Sequence, residues 1–254
     1  IAAQLVLEKD VLSEEFIEMV ASTYDFAGYE YIFIWLDDFN AFEAKVMYNE
    51  LFSKLLKALN NIGKKPIMAY GGYESIILCN TNSPARLYGV AQSVGYGEYR
   101  AITPVGGGMP VNKYYFLPTH CRMRFDDVAR ILSEHGYFSA RKSEKEHALD
   151  YYRDICNCGI CHEIIRDDIN GFSAYNDSIP YTVKTRNGIL TKNRPTTDAT
   201  LIAAIHFLNC KVFEWNYIEN EDLSTVLDNL KSCYAQYQPK LAGHINKWCE
   251  IYGK

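Results

Sequence analysis

Three thiols fall within the hexapeptide Cys156-Asn157-Cys158-Gly159-Ile160-Cys161. A core disperses its thiols over buried faces, and so short a segment cannot bury all three on one surface. A tetrahedral zinc ion does want thiolates at i, i+2 and i+5, with a turn at Gly159 that lets the sulfurs converge. The fourth ligand must come from elsewhere in the chain. Four Cys or His ligands close such a site, which is the structural pattern, whereas an open position is the catalytic one. The six histidines are unequal candidates. His162 adjoins the knot, but its backbone is committed to the same turn as Cys161. His206 sits in the otherwise apolar run Leu201-Ile202-Ala203-Ala204-Ile205-His206-Phe207-Leu208. It is either a core histidine satisfied by a backbone carbonyl or a polar residue tolerated because a metal binds it.

The elements that must position these residues follow from periodicity. Gln4–Leu7 reads as a short buried strand, and Leu12–Thr23 as a helix capped by Ser13 with Phe16, Ile17, Met19 and Val20 on one face. Tyr29–Leu36 is apolar on both faces, as a strand inside a parallel sheet is. It ends at Asp37-Asp38. A helix over Phe42–Asn60 follows and stops at Gly63, then a strand at Pro66–Tyr70, a helical turn at Tyr73–Leu78, and a strand at Ala85–Val94. Lys113–Leu117 reads as a strand, and Arg124–His135 and Ser143–Tyr152 as helices. The polar stretch Asp167–Pro195 is an insertion or small hairpin. Asp198–Trp215, Asp222–Tyr234 and Leu241–Ile251 close the chain as helices.

At 254 residues and 48% hydrophobic content, the chain can bury a full core. Its net charge of −5 gives nucleic-acid binding no global support, although a local basic face remains open. No run of 18 apolar residues is present, so no membrane span is expected. Eight cysteines with three in one knot favour a reducing cytoplasm over a disulfide framework. The first residue is Ile1 rather than Met, and sequence before it is expected.

The knot followed downstream by a helix-borne histidine resembles the zinc site of the tRNA-guanine transglycosylase superfamily. Ala204-Ile205-His206-Phe207-Leu208-Asn209 is similar to that family's apolar helix, with Phe207 standing where the family has Asn. The resemblance implies Cys156, Cys158, Cys161 and His206 as Zn2+ ligands. The gap between Cys161 and His206 is wider than in the family, and Asp167–Pro195 accounts for the extra residues. Lys65-Pro66-Ile67-Met68-Ala69-Tyr70-Gly71-Gly72 resembles the family's penultimate barrel strand. Leu36-Asp37-Asp38 falls near the strand that lines the base pocket, and Gln4 near the glutamine of the strand before it. The implied fold is α/β, a (β/α)8 TIM-barrel-like architecture, here an incomplete barrel lacking about three strands, with a C-terminal zinc-binding helical subdomain. The implied domains are residues 1–140 for the barrel part and 141–254 for the zinc subdomain.

The implied activity is exchange of guanine or 7-deazaguanine bases in tRNA or DNA, in which a carboxylate attacks the anomeric carbon as the purine leaves. Where the family carries its aspartate nucleophile, Gly89–Val94 has no acid. Asp37 and Asp38 are the best remaining acids, because barrel chemistry sits at strand C-terminal ends; Asp38 as a helix N-cap is the alternative. Glu98 is a further candidate, against a solvated loop acid. For substrate or nucleic-acid contact, Gly107 lies in a triple-glycine loop whose amides can approach phosphate. His120, Arg122 and Arg124 form a compact cationic group, unless the arginines simply occupy an exposed helix turn. Tyr114-Tyr115-Phe116 is either a stacking surface or core. The competing functional classes are a non-catalytic paralogue that binds nucleic acid or forms a homo- or heterodimer with a catalytic transglycosylase subunit, and an unrelated zinc-stabilised interaction module.

Overall fold

Ile32, Ile34 and Leu36 alternate with Tyr31, Phe33 and Trp35, and this period of two makes a strand with one buried face. The computed structural model describes residues 2–26, 28–91, 98–103, 113–186 and 188–253. In chain order the elements are β1 (Ala2–Leu7), α1 (Glu14–Asp25), β2 (Tyr31–Leu36), α2 (Val46–Asn61), β3 (Lys65–Met68), α3 (Tyr73–Ile77), β4 (Lys113–Phe116) and β5 (Cys121–Arg124). They continue with α4 (Phe125–Glu134), α5 (Glu144–Asp154), α6 (Gly159–Ile165), β6 (Ser178–Thr185), β7 (Gly188–Pro195), α7 (Thr197–Asn220), α8 (Leu223–Tyr237) and α9 (Pro239–Tyr252). A 3-10 segment, Ile169–Asn176, precedes β6.

The chain divides into two compact units, Ile1–Val105 with Phe213–Lys254, and Gly106–Val212. The last helices therefore belong with the N-terminal strands, not with the cysteine knot, as a boundary at residue 140 had placed them. In the first unit β1, β2 and β3 form a parallel sheet in that order. Parallel neighbours need crossover connections, which α1 and α2 supply, and the two helices pack on each other. Ile17, Val20, Phe52, Leu55, Leu56 and Leu59 join the buried sheet face in one core with Val226, Leu230, Trp248 and Tyr252 of the last two helices.

The α/β class is as expected, whereas several single elements differ. The described residues show a mixed α/β fold with a three-stranded parallel sheet and no closed barrel. Three strands cannot supply the strand number and stagger that closure requires. β2 is central, yet only one of its faces is buried; Tyr31 and Phe33 stay exposed. Ala85–Val94 is no regular strand over its described part: a single parallel bridge joins Met68 to Val90. The helix expected from Phe42 starts at Val46, because Asn40 accepts the Phe42 amide in a preceding turn. Met19 is exposed and not part of the buried face of α1, whose Ser13 cap does accept the Phe16 amide.

Candidate metal centre

The knot begins where α5 ends. α5 starts in a capping box at Ser143 and Glu146, which sets it in register, and buries His147, Ala148 and Tyr151. Cys156 follows its C-cap, Cys158 is the N-cap residue of α6, and Cys161 lies in the first turn of α6. An N-cap and the residue three positions on share one face of a helix, which brings those two sulfurs together. Gly159 opens α6 without a left-handed backbone, so the convergence comes from the helix start and not from a glycine turn.

α7 brings His206 to the same point. Its Nδ1 lies 3.4 Å from the Sγ of Cys158, 3.4 Å from that of Cys161 and 4.0 Å from that of Cys156. All four donor atoms lie within 4.8 Å of one another, and His206 is wholly buried. A tetrahedral ion with metal–sulfur bonds of about 2.3 Å and a metal–nitrogen bond of about 2.0–2.1 Å separates its ligand atoms by roughly 3.5–3.8 Å. The Nδ1 distances bracket that spacing, and three thiols with an imidazole suit a soft or borderline ion. The other ring nitrogen, Nε2, donates to the Tyr115 carbonyl at 2.8 Å, which fixes the tautomer and leaves Nδ1 free to ligate. The cluster can thus hold one metal ion.

Around it stands a shell of tyrosines. The Tyr151 and Tyr175 hydroxyls lie 3.3 Å and 3.4 Å from Cys161 Sγ, and the Tyr114 hydroxyl 3.8 Å. Tyr114 also meets the Tyr151 hydroxyl and stacks on the His206 ring at 4.3 Å. Burial, with Cys161 close by, raises all three phenols, so each keeps a proton to donate to the sulfur. Burial lowers His206, but the negative charge on Cys161 and Cys158 outweighs it and raises the ring to about 10. A three-thiolate site around a divalent ion carries a net negative charge, and these hydroxyls offset the cost of burying it. Cys210, one turn beyond His206 on α7, sits 3.9 Å from Cys156 Sγ. Sequence reasoning passed over Tyr151, Tyr175 and Cys210, and read Tyr114 only as stacking surface or core. The i, i+4 spacing from His206 would have pointed to Cys210; the tyrosines gave no local signal.

Tyr114, Tyr115 and Phe116 are core residues, not an open stacking surface. His120 is buried with a left-handed backbone, φ 53°. The Arg122 guanidinium lies over the Phe207 ring at 3.8 Å, while Arg124 is exposed at the start of α4. Gly107 lies outside the described residues.

In the other unit, Asp37, Asp38 and Glu98 gather near the C-terminal end of the sheet. One Asp37 oxygen accepts the Ile102 amide at 2.6 Å. Asp38 donates its amide to Arg100 at 3.1 Å, has φ 42°, and leaves its side chain exposed. It caps no helix, since the residue before α2 is Lys45. Glu98 is buried rather than solvated; burial, with Glu98 close by, pushes the carboxyl of the equally buried Glu74 above its ordinary value. Glu74, which the sequence did not single out, accepts the Gly72 amide at 2.8 Å and the Tyr99 hydroxyl at 2.9 Å. Beside them Arg100 donates to the Tyr70 hydroxyl at 3.0 Å and lies over the Trp35 and Tyr70 rings.

Among the described residues no helix is long and apolar enough to cross a membrane. Comparison of the chain with protein-family models, curated proteins and solved structures finds no match.

Proposed function

We propose that the chain is a zinc-stabilised relative of the tRNA-guanine transglycosylases, acting on guanine or 7-deazaguanine bases in tRNA or DNA. The observation that carries this reading is the meeting of Cys156, Cys158, Cys161 and His206, the last two 45 positions apart in the chain, with the histidine borne on a long apolar helix. Zn2+ bound there supplies folding energy and no chemistry, because four protein donors leave no position open. The tyrosine hydroxyls stabilise the Cys161 sulfur, and the Tyr115 carbonyl orients His206.

Catalysis would fall to the first unit, whose parallel β1-β2-β3 order with crossover helices is the arrangement that part of a (β/α)-barrel would have. Asp38 is the nucleophile of choice there, being exposed at the end of β2 and free of capping duty. Asp37 instead holds the Ile102 amide in place. Base exchange is tested by following labelled guanine into tRNA and into duplex DNA. The wild type should incorporate label into one of them, Asp38→Asn should lose at least a hundredfold, and Asp37→Asn should lose less. No incorporation into either polymer would turn the assignment to the non-catalytic reading. One observation favours that second reading. Leu201, Ile205, Leu208 and Val212 form an exposed apolar row at coiled-coil spacing along α7, suited to docking the helix of a catalytic transglycosylase subunit.

A further inference from the structure

β6 and β7 pair as an antiparallel ribbon, in register from Ser178↔Pro195 to Thr185↔Gly188. Every residue of β7 from Gly188 to Arg194 is exposed, and so is most of β6. An exposed two-stranded ribbon is at best marginally stable alone, so its persistence asks for a purpose. Its charge suggests one. Between Ser178 and Pro195 the chain places Lys184, Arg186, Lys192 and Arg194 and no carboxylate, although its net charge is −5. None of these cations makes an ion pair with another described residue. Cross-strand pairing of Ile179 with Arg194, Tyr181 with Lys192, and Val183 with Leu190 puts cations and apolar groups on one face.

We propose that this ribbon binds duplex DNA, entering the major groove and placing its cations on the flanking phosphates. A two-stranded ribbon fits the major groove of B-DNA, and lysine and arginine are the residues that position a protein on the backbone. Val183, Ile179 and Leu190, on the face that also carries Lys192 and Arg194, offer apolar contact to thymine methyls. The deep, narrow major groove of A-form RNA would refuse such a ribbon. A membrane surface fits less well, because the end of the ribbon carries Lys184, Thr185 and Arg186 where an inserting tip would be apolar. The inference goes beyond the proposed function. It rests on exposure, register and charge alone, and a protein with no base-exchange activity can satisfy it.

The test is fluorescence anisotropy of the full chain with a short mixed-sequence DNA duplex, over a range of salt. Wild type is compared with the combined variant Lys184→Gln, Arg186→Gln, Lys192→Gln and Arg194→Gln. All four side chains are exposed, so metal content and melting temperature should match wild type and certify folding. The variant should bind at least tenfold more weakly at low salt. Its slope of log affinity against log salt should be shallower by up to about 3.6, since each of four phosphate contacts contributes about 0.9. Equal affinity and slope in the two proteins would overturn the proposal. So would equal competition by single-stranded DNA or duplex RNA, or ribbon-dependent binding found only on phosphatidylserine vesicles.

Discussion

His206 uses both ring nitrogens, and the two uses together explain a polar residue in an apolar helix. Nε2 meets the Tyr115 carbonyl, and Nδ1 faces the sulfurs. The two sequence alternatives, core histidine and ligand, are thus compatible in one side chain. Glu74 makes a separate residue-scale case. Burial is the chief cause that raises its carboxyl above the ordinary value, against the lowering effect of the Gly72 amide and the Tyr99 hydroxyl. Between the ordinary and the raised value the folded protein keeps a proton that the unfolded chain has lost. Stability from this group therefore falls as pH rises above about 4.3. Glu74→Gln keeps the shape and removes the titration. In melts across pH 4 to 8, the stability of this variant relative to wild type should increase with pH, by no more than about 1.4 kcal/mol per unit for one proton. A flat difference would show that Glu74 titrates normally, and a declining one that its carboxyl is held below the ordinary value; either contradicts the account.

Elements bring the knot together, and two glycines show which backbone positions matter. A Cβ at Gly159 would meet nothing within 4 Å, whereas one at Gly171 would lie 2.5 Å from the Ile164 carbonyl oxygen, at the end of α6. Gly159→Ala should be neutral or slightly stabilising, since alanine is the better helix former by up to about 1 kcal/mol. Gly171→Ala should cost about 1–3 kcal/mol, because backbone must shift to make room. It should also weaken metal binding, since the segment it displaces carries Tyr175. Thermal melts and a chelator competition on both variants check this; equal behaviour would separate that segment from the site. Periodicity made most elements legible. α1, β2, α4, α5 and the hairpin within Asp167–Pro195 all have apolar spacing or turn residues that speak locally. The Ala85–Val94 segment misled, because a run of apolar residues cannot say whether a neighbouring strand pairs along its whole length.

At the scale of the whole molecule, the chain leaves its first unit after β3 and α3, builds the second around the knot, and returns along α7. That return was not legible, since no local pattern tells which of two cores a C-terminal amphipathic helix will cover. The cluster that could hold a metal was legible for the opposite reason: thiols at i, i+2 and i+5 have few uses other than metal, and one histidine stood alone on an apolar helix. The second unit carries many of its large buried side chains in the shell around the site, among them Tyr114, Tyr151, Phe172 and Tyr175. Structural zinc contributes about 10–16 kcal/mol of apparent binding energy in small zinc-folded peptides, so losing it should unfold this unit. The most direct measurement is the metal content of purified protein, wild type beside His206→Ala and Cys158→Ser, each followed by a thermal melt. One zinc per chain in wild type, lost or loosely held in both variants with a lowered melting temperature, is the expected result. No zinc in the wild type, or zinc and melting indifferent to both substitutions, would contradict a metal centre at these four residues and remove the basis of the functional proposal.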